Sequence, residues 1–95
     1  FWVAHPGQDP VAFLKKYGKR IHLMHMKDMQ KGVKGDLTGH ADVETNVTIG
    51  TGSIDYATIV REARKIGVKY LIIEDESSRS MTQVPASLKY LTSIK

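Results

Sequence analysis

Apolar and polar positions alternate along the chain in blocks that change period several times. Phe1-Trp2-Val3 is an apolar run of the kind that ends a strand, and a first strand is expected over residues 1–4. Asp9 then offers an N-cap and Pro10 a first helical position. Val11, Phe13, Leu14 and Tyr17 supply the apolar side of a short helix over 9–17, and Gly18 stands where a left-handed C-cap is expected. A second strand is read over 21–26. Residues 29–48 are polar and glycine-rich without a clear period, which predicts a long loop, and loops of this length are often functional.

The second half is more regular. Ile49-Gly50-Thr51-Gly52 predicts a turn, and Ser53 a cap for a helix over 54–66, with Asp55 near its positive end. Gly67 is expected to end that helix, with Val68 packing back on it. Tyr70 to Ile73 is a continuous apolar run, the pattern of a strand buried on both faces, and a third strand is placed over 69–74. Met81, Val84, Leu88, Leu91 and Ile94 recur at steps of three or four and predict an amphipathic helix over 81–94. Pro85 falls in its first turns and argues for a start nearer Thr82. Strands alternating with helices in this way mean an α/β chain of about three β/α units. Three units cannot close a barrel on their own, so the expectation is a part whose sheet is completed by further chain or by copies of itself.

Composition changes this picture little. The chain has 95 residues, 41% hydrophobic and 25% charged, the balance of an ordinary globular domain. No apolar run approaches the roughly 20 residues of a membrane span, so no membrane partner is expected. The absence of cysteine excludes a disulfide framework and thiolate metal sites. The compartment is left open, with the cytoplasm as the default. The net charge of +4 permits an anionic partner without demanding one. Lys15, Lys16, Lys19 and Arg20 read as solvated helix and loop surface. The scattered charge has no stripe of the kind that binds nucleic acid.

Candidate chemistry lies at the strand ends. Alternation puts Leu23, His25 and Lys27 on one face of their strand and His22, Met24 and Met26 on the other. His25 is read either as a hydrogen-bonded, half-buried histidine or as a nitrogen donor for a metal. Glu74 follows Leu71-Ile72-Ile73, where a carboxylate is costly unless it is paired, hydrogen-bonded or bound to a cation. Asp75 and Glu76 read as solvated strand-end acids. Together His25 and Glu74 offer one nitrogen and one oxygen, a mixture that suits Mn²⁺, Mg²⁺, Co²⁺ or Zn²⁺, though two donors do not complete a site. Gly50-Thr51-Gly52-Ser53 reads first as a turn with a helix cap, with anion binding by its backbone N–H groups as the other possibility.

Several segments fall in a familiar order: Phe1-Trp2-Val3, Asp9-Pro10-Val11, Leu23-Met24-His25-Met26-Lys27-Asp28, Ile49-Gly50-Thr51-Gly52-Ser53-Ile54-Asp55-Tyr56 and Tyr70-Leu71-Ile72-Ile73-Glu74-Asp75-Glu76. The series resembles the C-terminal part of the sugar phosphate isomerase/epimerase family, which are xylose-isomerase-like TIM barrels. The resemblance covers nearly the whole chain and rests on the order and spacing of individually weak motifs. It implies the last part of a (β/α)₈ barrel. It further implies a divalent metal held by two Glu, one Asp and one His, with His25 as the His ligand and Glu74 as the last Glu. The family's Asp and first Glu have no counterpart within the chain. Trp2 stands where some members carry a second His. By resemblance the metal polarises a sugar carbonyl and Glu74 moves a proton at the adjacent carbon through an enediolate. Trp2, Lys27 and His40 are candidates for contacting the sugar or its phosphate. Solvated surface is the competing reading for Lys27 and His40, as it is for Lys31 and Lys34.

Two alternatives stand beside this reading. The same superfamily contains apurinic-site endonucleases with a multi-zinc cluster. Their Asp-x-His signature is reversed here as His40-Ala41-Asp42. The other alternative is a non-catalytic, self-associating module. The isolated chain is expected to be inactive, since at least two ligands are lacking.

Overall fold

The computed structural model describes residues 1–95. A helix α1 (Pro10–Tyr17) runs into a 3₁₀ turn (Gly18–Arg20) and then strand β1 (Leu23–Met26). A two-residue strand β2 (Asp28–Met29), a 3₁₀ turn (Val43–Thr45) and strand β3 (Asn46–Val47) follow. The chain ends with α2 (Tyr56–Ile66), β4 (Tyr70–Ile73) and α3 (Ser80–Ser93). This is an α/β architecture with three helices and two small sheets. None of the helices is long and apolar enough to cross a membrane.

The central unit is β1–α2–β4. Its strands pair in parallel with His25 opposite Ile72 and Met26 opposite Ile73. The ladder continues one step further, where the Glu74 N–H donates to the Met26 carbonyl at 3.0 Å. Met26 is completely buried, in the same core cluster as Ile59 and Val60 of α2. Each such side chain contributes roughly 1.5–3 kcal/mol by leaving water. The opposite face of the β1–β4 pair is uncovered. Leu23, Tyr70 and Ile72 are 46%, 62% and 43% exposed there. Parallel pairs are ordinarily covered on both faces.

Helix ends follow local chemistry. Asp9 caps α1, accepting from the Val11 N–H at 2.9 Å. Asp55, rather than Ser53, caps α2: it accepts from the Thr58 N–H at 3.1 Å and the Thr58 hydroxyl at 2.7 Å. Ser53 is instead drawn toward the Met29 carbonyl, to which its N–H donates. Gly67 ends α2 in the left-handed region at φ +95°, and the Val68 N–H reaches back to the Ala63 carbonyl. Gly18, by contrast, has φ −55° and opens the 3₁₀ turn. Its glycine is needed because a Cβ would stand 2.6 Å from Ile66 Cδ1, where the ends of α1 and α2 meet.

Three further expectations are corrected. Residues 1–4 form no strand. The His5 N–H bonds to the Phe1 carbonyl at 2.8 Å and the Gln8 N–H to that of Val3, so the segment closes on itself in turns. A strand needs a neighbour for its backbone groups, and without one local turns satisfy them. The stretch 29–48 is not free of secondary structure, because β2 pairs with β3 in antiparallel register across it. Helix α3 starts at Ser80 with Pro85 inside it, its first turn held by N–H bonds from Thr82 and Gln83 to the Arg79 carbonyl.

Asp28 organises the middle of the chain. Its carboxylate is buried. One oxygen accepts from the N–H groups of Met29 and Ile54, at 2.9 and 3.2 Å. The other accepts from Gly50 and Gly52, both at 3.0 Å. The anion-binding capacity expected of the Gly50–Ser53 turn is therefore real, and the chain's own Asp28 fills it. Burial pushes the Asp28 carboxyl up from its ordinary value, and the N–H bonds of Gly52, Gly50, Ile54 and Met29 oppose that push. A side chain at Gly52 would collide with the Asp28 carboxylate and the Met29 carbonyl. The turn is also tied to α3, since the Ile49 N–H donates to the buried Ser87 hydroxyl at 2.9 Å.

The end of the long loop is clasped onto the start of α3. Glu44 accepts from the Ser78 N–H and hydroxyl and from Arg79 at 2.9 Å. Those hydrogen bonds hold the Glu44 carboxyl below its ordinary value.

Two outcomes follow. Asp28→Asn turns one acceptor oxygen into an NH₂ that faces N–H donors, and should cost about 2–4 kcal/mol in urea unfolding; a loss below about 0.5 kcal/mol would refute the role given to Asp28. Glu44, whose folded pKa is lowered, stabilises the clasp above its unfolded pKa and loses that contribution as pH falls through the folded value. Amide exchange at Ser78, whose N–H donates to Glu44, should therefore be flat across the neutral range after correction for intrinsic rates, and protection should be lost only as the pH falls below the ordinary glutamate range.

Candidate functional site

The ends of β1 and β4 lie side by side, and the pleat places His25, Lys27, Ile72 and Glu74 on one face. His25 and Glu74 are diagonal neighbours across the pair, within reach of long side chains. His25 Nδ1 and Glu74 Oε2 are 2.9 Å apart. The imidazole is largely exposed and the carboxylate partly so.

Lys27 is the unexpected member of this group. Sequence reasoning offered it as a sugar contact or as solvated surface, and the structure shows a lysine only 3% exposed. Its ammonium stands 3.3 Å from Glu74 Oε1 and 2.5 Å from Glu76 Oε1. The rings of Phe1 and Trp2 lie 4.9 and 5.5 Å from it, so the charge is sandwiched between two carboxylates and two aromatic faces. Partial burial raises the Glu74 carboxyl, but hydrogen bonds from His25 and Lys27 and the charge of Lys27 outweigh it, leaving the group below its ordinary value. Glu76 thus enters the site through Lys27. A cation at position 27 and acids at positions 74 and 76 were the sequence signal for this, and strand pairing was needed to read it.

Tyr56 completes the support. Its buried hydroxyl accepts from the Lys27 N–H at 2.9 Å and donates to the Lys27 carbonyl, closing both backbone groups of that residue. Burial pushes the Tyr56 hydroxyl well above its ordinary pKa, so it remains protonated. Sequence reasoning passed Tyr56 over as one residue of a turn motif.

A groove of about 490 Å³ runs between the N-terminal turns, α1 and β1. Trp2, Phe13 and Leu23 contribute to its apolar wall, and His25, Lys27 and Glu74 stand together along it. Trp2 therefore belongs with the strand-end residues. His40 does not: it lies in an exposed turn, where its N–H is bonded to the Thr38 hydroxyl.

The donor set fits a divalent cation in part. Two donors bound about 2.1 Å from an ion and about 90° apart stand about 3 Å from one another, close to the separation of His25 Nδ1 and Glu74 Oε2. They suit two adjacent positions of a coordination sphere. No group of three or more His, Asp or Glu side chains comes together anywhere in the chain, so the remaining positions need donors from elsewhere or water. The chain matches no known protein family, no curated protein and no solved structure.

Tyr56→Phe leaves the Lys27 N–H and carbonyl without partners. It should cost about 1–3 kcal/mol in chemical denaturation. A variant as stable as the parent would show that water replaces the hydroxyl at no cost.

Proposed function

We propose that the chain supplies one side of a divalent-metal centre in a sugar or sugar-phosphate isomerase or epimerase, as about three β/α units of a (β/α)₈ barrel. The observation that carries this reading is the pairing of His25 and Glu74 at the C-terminal ends of two adjacent parallel strands, the end at which α/β barrels place their chemistry. The uncovered face of the β1–β4 pair supports the barrel, whose interior that face would line.

Within this reading His25 and Glu74 would hold the ion together with donors from outside the chain. When bound, the metal polarises the substrate carbonyl. Glu74 is then placed to move a proton at the carbon beside that carbonyl. Its lowered pKa keeps it an anion at neutral pH, ready to accept. Trp2 and the apolar wall of the groove would exclude water from one side of the sugar. Lys27, held by Glu74 and Glu76, acts on Glu74 instead of reaching the sugar.

The uncovered face also favours a second reading, a non-catalytic module that associates through it. Intact mass and metal content separate the two. About one divalent ion per barrel-sized chain supports the isomerase, and more than one zinc favours an endonuclease-like hydrolase. A metal-free chain of 10.6 kDa that self-associates supports the module.

In the complete barrel, Glu74→Gln should lower kcat for sugar interconversion by roughly 10²–10⁴-fold while the protein stays folded. A near-normal kcat removes Glu74 from the chemistry.

A further inference from the structure

A hollow of about 640 Å³ lies at the opposite end of β1 from His25, where the C-terminal ends of α1 and α2 converge. Gly18 permits that convergence, since a Cβ there would collide with Ile66. Lys15 and Lys16 of α1, Lys19 and Arg20 of the 3₁₀ turn and Lys65 of α2 line the hollow, with Glu62 as its one acid. The cations outnumber the acid there by four, which is the whole of the chain's net charge of +4. All five cations are exposed. None of them forms an ion pair, because every ion pair in the chain involves His25, Lys27 or Arg79. Helix C-termini favour cations, but each carries only roughly half a negative charge. Two such ends offset about one charge and leave most of the excess unmet. A hollow walled by charges of one sign focuses their field on an anion that enters it.

We propose that this hollow binds a compact polyphosphate group, either free or as the phosphate tail of a nucleotide. The site stands on its own residues and does not depend on the metal-centre reading above. Its volume is that of a small-molecule site. A triphosphate group brings several negative charges within a short span, which matches an excess gathered around one concavity. Arg20 offers a planar fork that can meet two phosphate oxygens at once, and the lysines add point charges from both helices. A membrane surface fits less well, because it needs protruding apolar side chains, whereas Leu14 is buried and Ile66 half-buried. Extended single strands of nucleic acid need open aromatic rings for their bases, and the one ring here, Tyr17, has the Lys16 ammonium over it at 5.3 Å.

The 95-residue chain tests this directly by titration with inorganic triphosphate and, separately, with magnesium-free ATP, followed by calorimetry and amide NMR shifts. Saturable shifts confined to residues 15–20 and 62–66 are expected, and the affinity should fall as salt is raised. Tighter binding of ATP than of triphosphate places a nucleotide in the hollow. Equal or weaker binding of ATP means that the phosphates alone are read. Both results support the site. Arg20→Gln combined with Lys65→Gln should lower the affinity about tenfold. Lys31→Gln combined with Lys34→Gln removes the same charge from the long loop, outside the hollow, and should leave the affinity unchanged. All four side chains are exposed and unpaired, so both double variants should fold. Equal losses in the two variants would show that net charge alone acts, and would overturn the proposal. Absence of saturable triphosphate binding would overturn it too. So would tighter binding, per phosphate, of an oligonucleotide or of phosphatidylserine vesicles through the same residues, since the surface would then serve an extended polyanion or a membrane.

Discussion

A single buried carboxylate ties the molecule together. Asp28 sits at the crossing of β2, the Gly50–Ser53 turn and the approach to α2, and four backbone N–H groups converge on it. A charge taken out of water at this depth is tolerable only because its oxygens are so fully bonded. Three of the bonds, from Gly50, Gly52 and Ile54, close a loop of more than twenty residues onto the end of β1. They also hold the approach to α2, whose Tyr56, Ile59 and Val60 share the core with Met26. The geometry at the end of β1 is thus inherited from Asp28, which itself stays on the inner side and touches none of the candidate ligands.

The segment from His25 to Asp28 does four different things in four consecutive residues. His25 faces the open side of the sheet, Met26 the core, Lys27 the carboxylates of Glu74 and Glu76, and Asp28 the turn. The alternation of a strand explains the first two. Tyr56 fixes the backbone of the third, so the ammonium has one place to go. Removing Lys27 would leave two carboxylates without their shared counter-ion, which is why its burial and the placement of Glu74 are one interaction seen from two sides.

What remains open on the surface is as informative as what is closed. A parallel pair with Leu23, Tyr70 and Ile72 facing water leaves apolar area that a finished α/β sheet covers. The candidate ligands lie on that same face. Covering the face would also shield His25 and Glu74 from bulk water.

Local patterns in the sequence determined much of this. The helices over Pro10–Tyr17 and Tyr56–Ile66, the strands around Leu23–Met26 and Tyr70–Ile73, the left-handed Gly67 and the Asp9 cap are all set by contacts within a few residues, so periodicity and capping chemistry reveal them. The placing of His25 and Glu74 at neighbouring strand ends was also legible, because alternation and a β–α–β order constrain it. Other features needed the tertiary structure. Phe1–Ala4 looked like a strand, but strands exist only where a neighbour accepts their hydrogen bonds, and none does here. Gly18 looked like a left-handed cap, but its reason is the close approach of Ile66 from another helix. The turn at Gly50–Ser53 read first as a helix-capping turn with an anion site as the other possibility, and Lys27 as a sugar contact or a surface cation. Their partners are Asp28 in one case and Glu74 and Glu76 in the other, between roughly 20 and 50 residues away in the chain. A sequence records which groups need partners. Which distant group meets that need is decided by packing, since only the folded chain brings those atoms within hydrogen-bond distance.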